Sequence, residues 1–206
     1  MKKLIILAVL IGAGMHYQHY ILRFFENGLF DHNGNPKVAL LVKQGCGEPC
    51  ESARRDLDKR DVIYEEVDMD LNPEWLETFG YPRTMPFLIV GKDKSYTYNP
   101  GVYSSLLAEN LGPVALTDAE KRIYDEHFYA DGQPKIVLYG TTWCGYCKKL
   151  RQEFAENQID YLDYDVEKPV KKPWLLKTLG IQGYPTVYVG YKRVQGTDLK
   201  AVLAAH

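Results

Sequence analysis

Beyond an apolar N-terminal segment, the chain alternates short apolar runs with stretches in which apolar residues recur at helical spacing, and it does so twice. In the first pass, Val38 to Val42 reads as a strand, and Ala53 and Leu57 mark one face of the helix after it. Val62 to Val67 gives a second strand, a short helix carries Trp75, and Pro86 opens a third strand from Phe87 to Val90. A weaker strand and a closing helix from Val102 to Leu111 finish the unit. In the second pass the elements return in the same order. They are Ile136 to Tyr139, a helix with Leu150 and Phe154, Tyr161 to Val166, a helix carrying Trp174, Val187 to Val189 behind Pro185, and a closing helix from Asp198 to Ala205. The order β-α-β-α-β-β-α calls for a mixed sheet with helices on both faces. The chain is therefore expected to be α/β, with two tandem units at 35–112 and 133–206.

The units are copies of one another. Asn35-Pro36-Lys37-Val38 is echoed by Gln133-Pro134-Lys135-Ile136, and Cys46 and Cys144 each stand nine residues after the lysine. Asp68 follows Cys50 by 18 residues, as Asp165 follows Cys147. Met85-Pro86-Phe87 answers Tyr184-Pro185-Thr186, with Gly91 and Gly190 five residues after the prolines. So many landmarks in one order identify an internal repeat. Between the units, residues 113–132 read as a connecting helix: Thr117-Asp118-Ala119-Glu120 is a capping box, and the polar helix it opens is expected to run to about Ala130.

Composition narrows the function. Hydrophobic residues make up 46% and charged residues 25% of the 206, a globular mixture. A net charge of −2 gives no basic footprint, so nucleic acid is not expected as a partner. At the N-terminus, Lys2 and Lys3 precede an apolar run from Leu4 to Met15, the length of a signal h-region and too short for a span. Residues 1–22 are therefore expected to be a signal peptide or a retained signal anchor. That implies an exported protein, periplasmic or otherwise extracytoplasmic, with membrane attachment if the segment is kept. The five histidines, His16, His19, His32, His127 and His206, show no ligand spacing beyond His16/His19 beside the apolar segment and read as surface residues.

The four cysteines form two close pairs, which points to redox or metal chemistry rather than to a stapled mini-domain. In Trp143-Cys144-Gly145-Tyr146-Cys147 the first thiol lies between a strand and a helix start. The free N–H groups and dipole there favour the thiolate, the form that attacks disulfides. Cys147, one turn on, is within disulfide reach and resolves the mixed disulfide; the spacing is expected to leave one thiol exposed and shield the other. Cys46-Gly47-Glu48-Pro49-Cys50 has one extra residue, and Glu48 sets a negative charge beside it that opposes nucleophilicity. A stable disulfide, an electron relay to Cys144 and a partner-binding role stay open for this pair.

The second unit resembles a glutaredoxin from about Pro134 onward, on Cys144-Gly145-Tyr146-Cys147, Tyr184-Pro185-Thr186 and Gly196-Thr197-Asp198. The resemblance implies two thioredoxin-like domains, the first diverged, with Pro86 and Pro185 as the cis-prolines of the fold. It implies a thiol-disulfide oxidoreductase acting on protein disulfides or glutathione mixed disulfides, with glutathione as a co-substrate and no bound cofactor. Trp143, Tyr146, Tyr184, Pro185 and Thr186 would line the substrate site, and Gly196, Thr197 and Asp198 would hold the γ-glutamyl carboxylate. Trp143 is a thioredoxin-like departure, Tyr184 stands where the family commonly has valine, and Gly140-Thr141-Thr142 lacks the family's basic residue. Glutathione use therefore stays open. Two other classes are weighed against the enzyme: a zinc or copper site built from both cysteine pairs, and a non-catalytic interaction scaffold.

Overall fold

The computed structural model describes residues 29–73, 84–168, 170 and 172–206. The N-terminal segment 1–22 and the helix expected around Trp75 lie outside the described residues.

Two four-stranded sheets carry the fold. The first contains β1 (Val38–Val42), β2 (Glu65–Asp68), β3 (Phe87–Val90) and β4 (Asp93–Tyr96) in the order β2-β1-β3-β4. The second contains β5 (Ile136–Gly140), β6 (Leu162–Asp165), β7 (Thr186–Val189) and β8 (Lys192–Arg193) in the order β6-β5-β7-β8. In each, the first two strands pair in parallel and the rest antiparallel. Every residue of β1, β3, β5 and β7 is buried, because both sheet faces are covered; this is why these strands read as unbroken apolar runs. The fold is thus α/β with two thioredoxin-like domains. The second strand of each unit is shorter than expected: β2 starts at Glu65 rather than Val62, and Val62 and Tyr64 pack against the core from the preceding loop.

The helices are α1 (Glu48–Lys59), α2 (Pro100–Leu111), α3 (Asp118–Tyr124), α4 (Gly145–Glu156), α5 (Pro173–Thr178) and α6 (Leu199–Ala205). Ala53 and Leu57 of α1, with Tyr103 and Leu107 of α2, cover Val38, Leu40, Leu88 and Val90. Leu150 and Phe154 of α4, with Val202 of α6, cover Ile136, Leu138, Val187 and Val189 in the same way. The opposite face of the second sheet is closed by chain from both units. Ala108 of α2, Leu116, and Ile123 and Tyr124 of α3 join Leu175 and Leu179 over Val137, Tyr139 and Tyr188.

Helix α2 is therefore buried on two sides. Its larger residues face the first sheet, while Gly101, Ser104, Ser105 and Ala108 form a stripe of small residues at i, i+3, i+4 and i+7. Ser104 Oγ meets Tyr124 Oη at 3.1 Å, and Ser105 Oγ accepts the Arg193 N–H at 2.8 Å. Small side chains permit this close approach.

The connecting segment differs from its expectation. The capping box at Thr117 and Glu120 is formed, but α3 ends at Tyr124 and a single 3₁₀ turn follows at Asp125–His127. Nor is the segment a polar spacer. Glu120 is buried and its carboxylate meets Arg60, at the C-cap of α1, at 2.6 and 2.7 Å. His127 is fully buried, against the surface reading of the histidines. From Phe128 the chain already belongs to the second unit: Phe128 pairs with Pro134 as Phe30 pairs with Pro36. Gly190 and Gly91, both at positive φ, sit under these hairpins, where a Cβ would press on Phe128 and Pro134 or on Phe30 and Pro36. The repeat therefore begins at Phe30 and Phe128, earlier than the motifs alone suggest.

Candidate functional site

Cys144 is the N-cap of α4, in extended backbone, and its Sγ accepts the Cys147 N–H at 3.1 Å. A helix start leaves its first N–H groups without intrahelical partners, and here the cysteine sulfur takes one of them. Turning the sulfur back over the first turn also covers it: Cys144 is 6% and Cys147 0% exposed, so neither thiol stands open in the way the sequence suggested. Both are free thiols. Burial, then the hydrogen bond to Cys144, pushes the Cys147 thiol up to about 11. The end of β5 leaves room for that sulfur because residue 140 is glycine; a Cβ there would lie 2.9 Å from Cys147 Sγ.

Three chain segments meet at Trp143, the residue before Cys144. Trp143 and Tyr146 are largely exposed on either side of Cys144. The Trp143 indole donates to Glu167 at 2.8 Å and meets the Tyr184 ring edge-on, with centroids 6.1 Å apart. The Tyr184–Pro185 peptide bond is cis, as is Met85–Pro86 in the first unit. Thr186 is buried and its hydroxyl donates to the Gly183 carbonyl at 2.9 Å. Gly196, Thr197 and Asp198 are exposed before α6, and Asp198 caps that helix by accepting the Ala201 N–H at 2.9 Å. Thr141 Oγ1 and Asp165 Oδ2, at the ends of neighbouring strands, are buried without a hydrogen-bond partner among the described residues.

Arg151 was not singled out from the sequence. It chelates Asp163 on β6 at 2.7 and 2.9 Å and donates to the Thr141 carbonyl at 3.0 Å, fastening α4 to the sheet and to the loop that carries the dithiol. The signal was in the repeat. Arg54 pairs with Glu66 at 2.6 and 3.0 Å, and in both units the arginine follows the second cysteine by four residues and the acid by sixteen.

In the first unit Cys46 and Cys50 form a disulfide, with Cα atoms 5.8 Å apart. The extra residue places Gly47 at the N-cap of α1, so Cys46 lies before the helix and is partly exposed, while Cys50 is buried. A cleft of about 440 Å³ opens beside the bond, lined also by Glu51, Glu66, Asp68 and Asp70. Glu48 turns away: its carboxylate accepts from Ser52 and Arg55, which hold it below the usual carboxylate range. A four-thiolate site is not built, since two of the four sulfurs bond each other. Among the described residues no three His, Cys, Asp or Glu side chains converge to hold a metal.

Residues 136–194 match the family model for glutaredoxin. A thioredoxin domain-containing protein of Acanthamoeba polyphaga mimivirus is 28% identical over 140 residues, covering 63% of this chain and 38% of that protein. A protein disulfide-isomerase of Neurospora crassa is 31% identical over 111 residues, covering 48% of this chain and 29% of that protein. A glutaredoxin of Pseudomonas aeruginosa is 29% identical over 66 residues, covering 32% of this chain and 79% of the glutaredoxin. The chain thus spans only about a third of the first two relatives. The similarity to glutaredoxins thus lies in the C-terminal unit, around the dithiol, and the sheet topology of that unit is repeated in the first.

Proposed function

We propose that this protein is a thiol-disulfide oxidoreductase that works through Cys144 and Cys147, exchanging electrons with protein disulfides or glutathione mixed disulfides. One observation carries the reading: Cys144 is the N-cap of α4, with the Cys147 N–H on its sulfur. A negative sulfur formed there during exchange meets a donor already in place.

In the reducing direction, the Cys144 thiolate attacks one sulfur of the substrate disulfide. A Cys144–substrate S–S bond forms, the substrate's bond breaks, and the leaving thiolate takes a proton from solvent. Cys147 then loses its proton and attacks Cys144 Sγ, closing the Cys144–Cys147 disulfide and releasing the second substrate thiol. Two electrons pass to the substrate in all, and no bound cofactor is required. Burial holds the Cys147 proton, so this sulfur attacks only once that proton has left.

Exposed Trp143 and Tyr146, with Tyr184 and the cis Pro185, offer an extended polypeptide an aromatic surface and a free backbone edge. Glutathione is the alternative substrate, with Gly196, Thr197 and Asp198 as the carboxylate site. The sequence of segment 1–22 supports action outside the cytoplasm; among the described residues no helix is long and apolar enough to cross a membrane.

The test is turnover with glutathione mixed disulfide and with insulin as paired substrates. Cys144→Ser is expected to abolish both reactions, and Cys147→Ser to accumulate a mixed disulfide with Cys144 that mass spectrometry detects. Full activity of Cys144→Ser would end the proposal.

A further inference from the structure

The loop that presents the cis-proline is held by the other unit. It leaves α5 at Leu179-Gly180 and reaches Tyr184-Pro185 four residues later. Asn99, the N-cap of α2 in the first unit, donates its Nδ2–H to the Gly180 carbonyl at 3.0 Å. Its Oδ1 meanwhile accepts the N–H groups of Gly101 and Val102 at 3.0 and 3.1 Å. Contact is so close that a Cβ on Gly101 would overlap the Leu179 carbonyl, and one on Gly180 would overlap Asn99 Oδ1. Arg193 of β8 closes the arrangement: its Nη1 donates to the Leu179 carbonyl at 3.0 Å and its backbone N–H to Ser105 of α2.

We infer that the first unit is a built-in clamp for the substrate loop of the second, and that Asn99 is a positioning residue for disulfide exchange at Cys144. This rests on the proposed dithiol activity. Asn99 is suited to the task because its amide does two jobs at once. The oxygen starts α2, and the nitrogen fixes the carbonyl of a residue at positive φ on the way to Pro185. A loop held in the binding-competent shape does not dilute its affinity over other conformers, so releasing it raises KM in inverse proportion to the competent fraction that remains.

Asn99→Ser in the full chain separates the two jobs, since serine keeps a capping oxygen but is too short to reach Gly180. Asn99→Asp is the second variant: it keeps the cap and the Arg193 Nη1 contact of Oδ1 at 3.4 Å while replacing the donor to Gly180 with an acceptor. For both we expect KM for the disulfide substrate to rise roughly fivefold, the worth of one hydrogen bond, with kcat within about twofold. The alkylation rate of Cys144 should stay unchanged, and amide exchange should speed up at residues 181–184 and 186. A merely structural role would lower the melting temperature and leave KM alone. Unchanged KM, or unchanged amide exchange in this loop, overturns the inference. If the wild-type chain turned over no disulfide, the oxidoreductase reading would fail instead, and amide exchange would still decide whether Asn99 holds the loop.

Discussion

Glu120 accepts four hydrogen bonds in a buried setting: two from Arg60, at 2.6 and 2.7 Å, and the N–H and hydroxyl of Thr117, both at 2.8 Å. Arg60 is likewise buried and is shared with Asp56 at 3.2 Å. Removing one partner leaves a buried charge without compensation, so Glu120→Ala should cost about 3–5 kcal/mol, read as a fall in the urea midpoint. A variant at an exposed pair such as Arg55 with Glu51 should stay within about 0.5 kcal/mol. His127 contributes a pH dependence of its own. Its Nδ1 donates to the Gly190 carbonyl at 2.8 Å, which leaves Nε2 to accept the Tyr139 hydroxyl at 2.7 Å. Burial pushes its pKa down to about 4. The unfolded chain takes up this proton near pH 6.5 and the native state resists it, so the contribution is complete above pH 6.5 and is lost as pH falls toward 4. The loss is about 3 kcal/mol, and His127→Leu, the residue type of Leu29 at the matching position, should flatten stability over that window.

At the scale of elements, α2 has one face read easily from the sequence and one face hidden there. Tyr103, Leu106 and Leu107 repeat at core spacing, whereas glycine, serine and alanine carry no apolar signal, and the second unit that meets them is supplied only by tertiary structure. Ala108→Leu should overpack this contact and cost about 1–3 kcal/mol, measured by chemical denaturation, because the helix cannot withdraw without opening the first core. The central strands and the start of α4 were legible, since apolar runs and a cysteine pair between strand and helix are local signals. The connecting segment was misread for the opposite reason. Glu120 and His127 look like surface residues until Arg60 and Gly190, 60 and 63 residues away in the chain, are brought beside them. The covering of Cys144 was equally invisible, because it depends on how an N-cap sulfur turns over its own helix. Arg151 and Asp163 could have been found by extending the comparison of the repeats beyond the landmarks.

Across the whole molecule, the second unit lacks a complete core of its own. Val137, Tyr139 and Tyr188 are roofed by Ala108, Leu116, Ile123 and Tyr124, all of which precede Phe128. A fragment of residues 128–206 should therefore expose that sheet face and bind a hydrophobic dye such as ANS, whereas the full chain keeps the roof and should bind far less dye. The same roof bears on how the molecule comes apart. Duplicated folds joined by a tether would melt independently, each with its own endotherm. Here α2 is wedged into two cores at once, so neither half can lose order without stripping a wall from the other. Scanning calorimetry should record a single heat-absorption peak whose calorimetric and van't Hoff enthalpies agree.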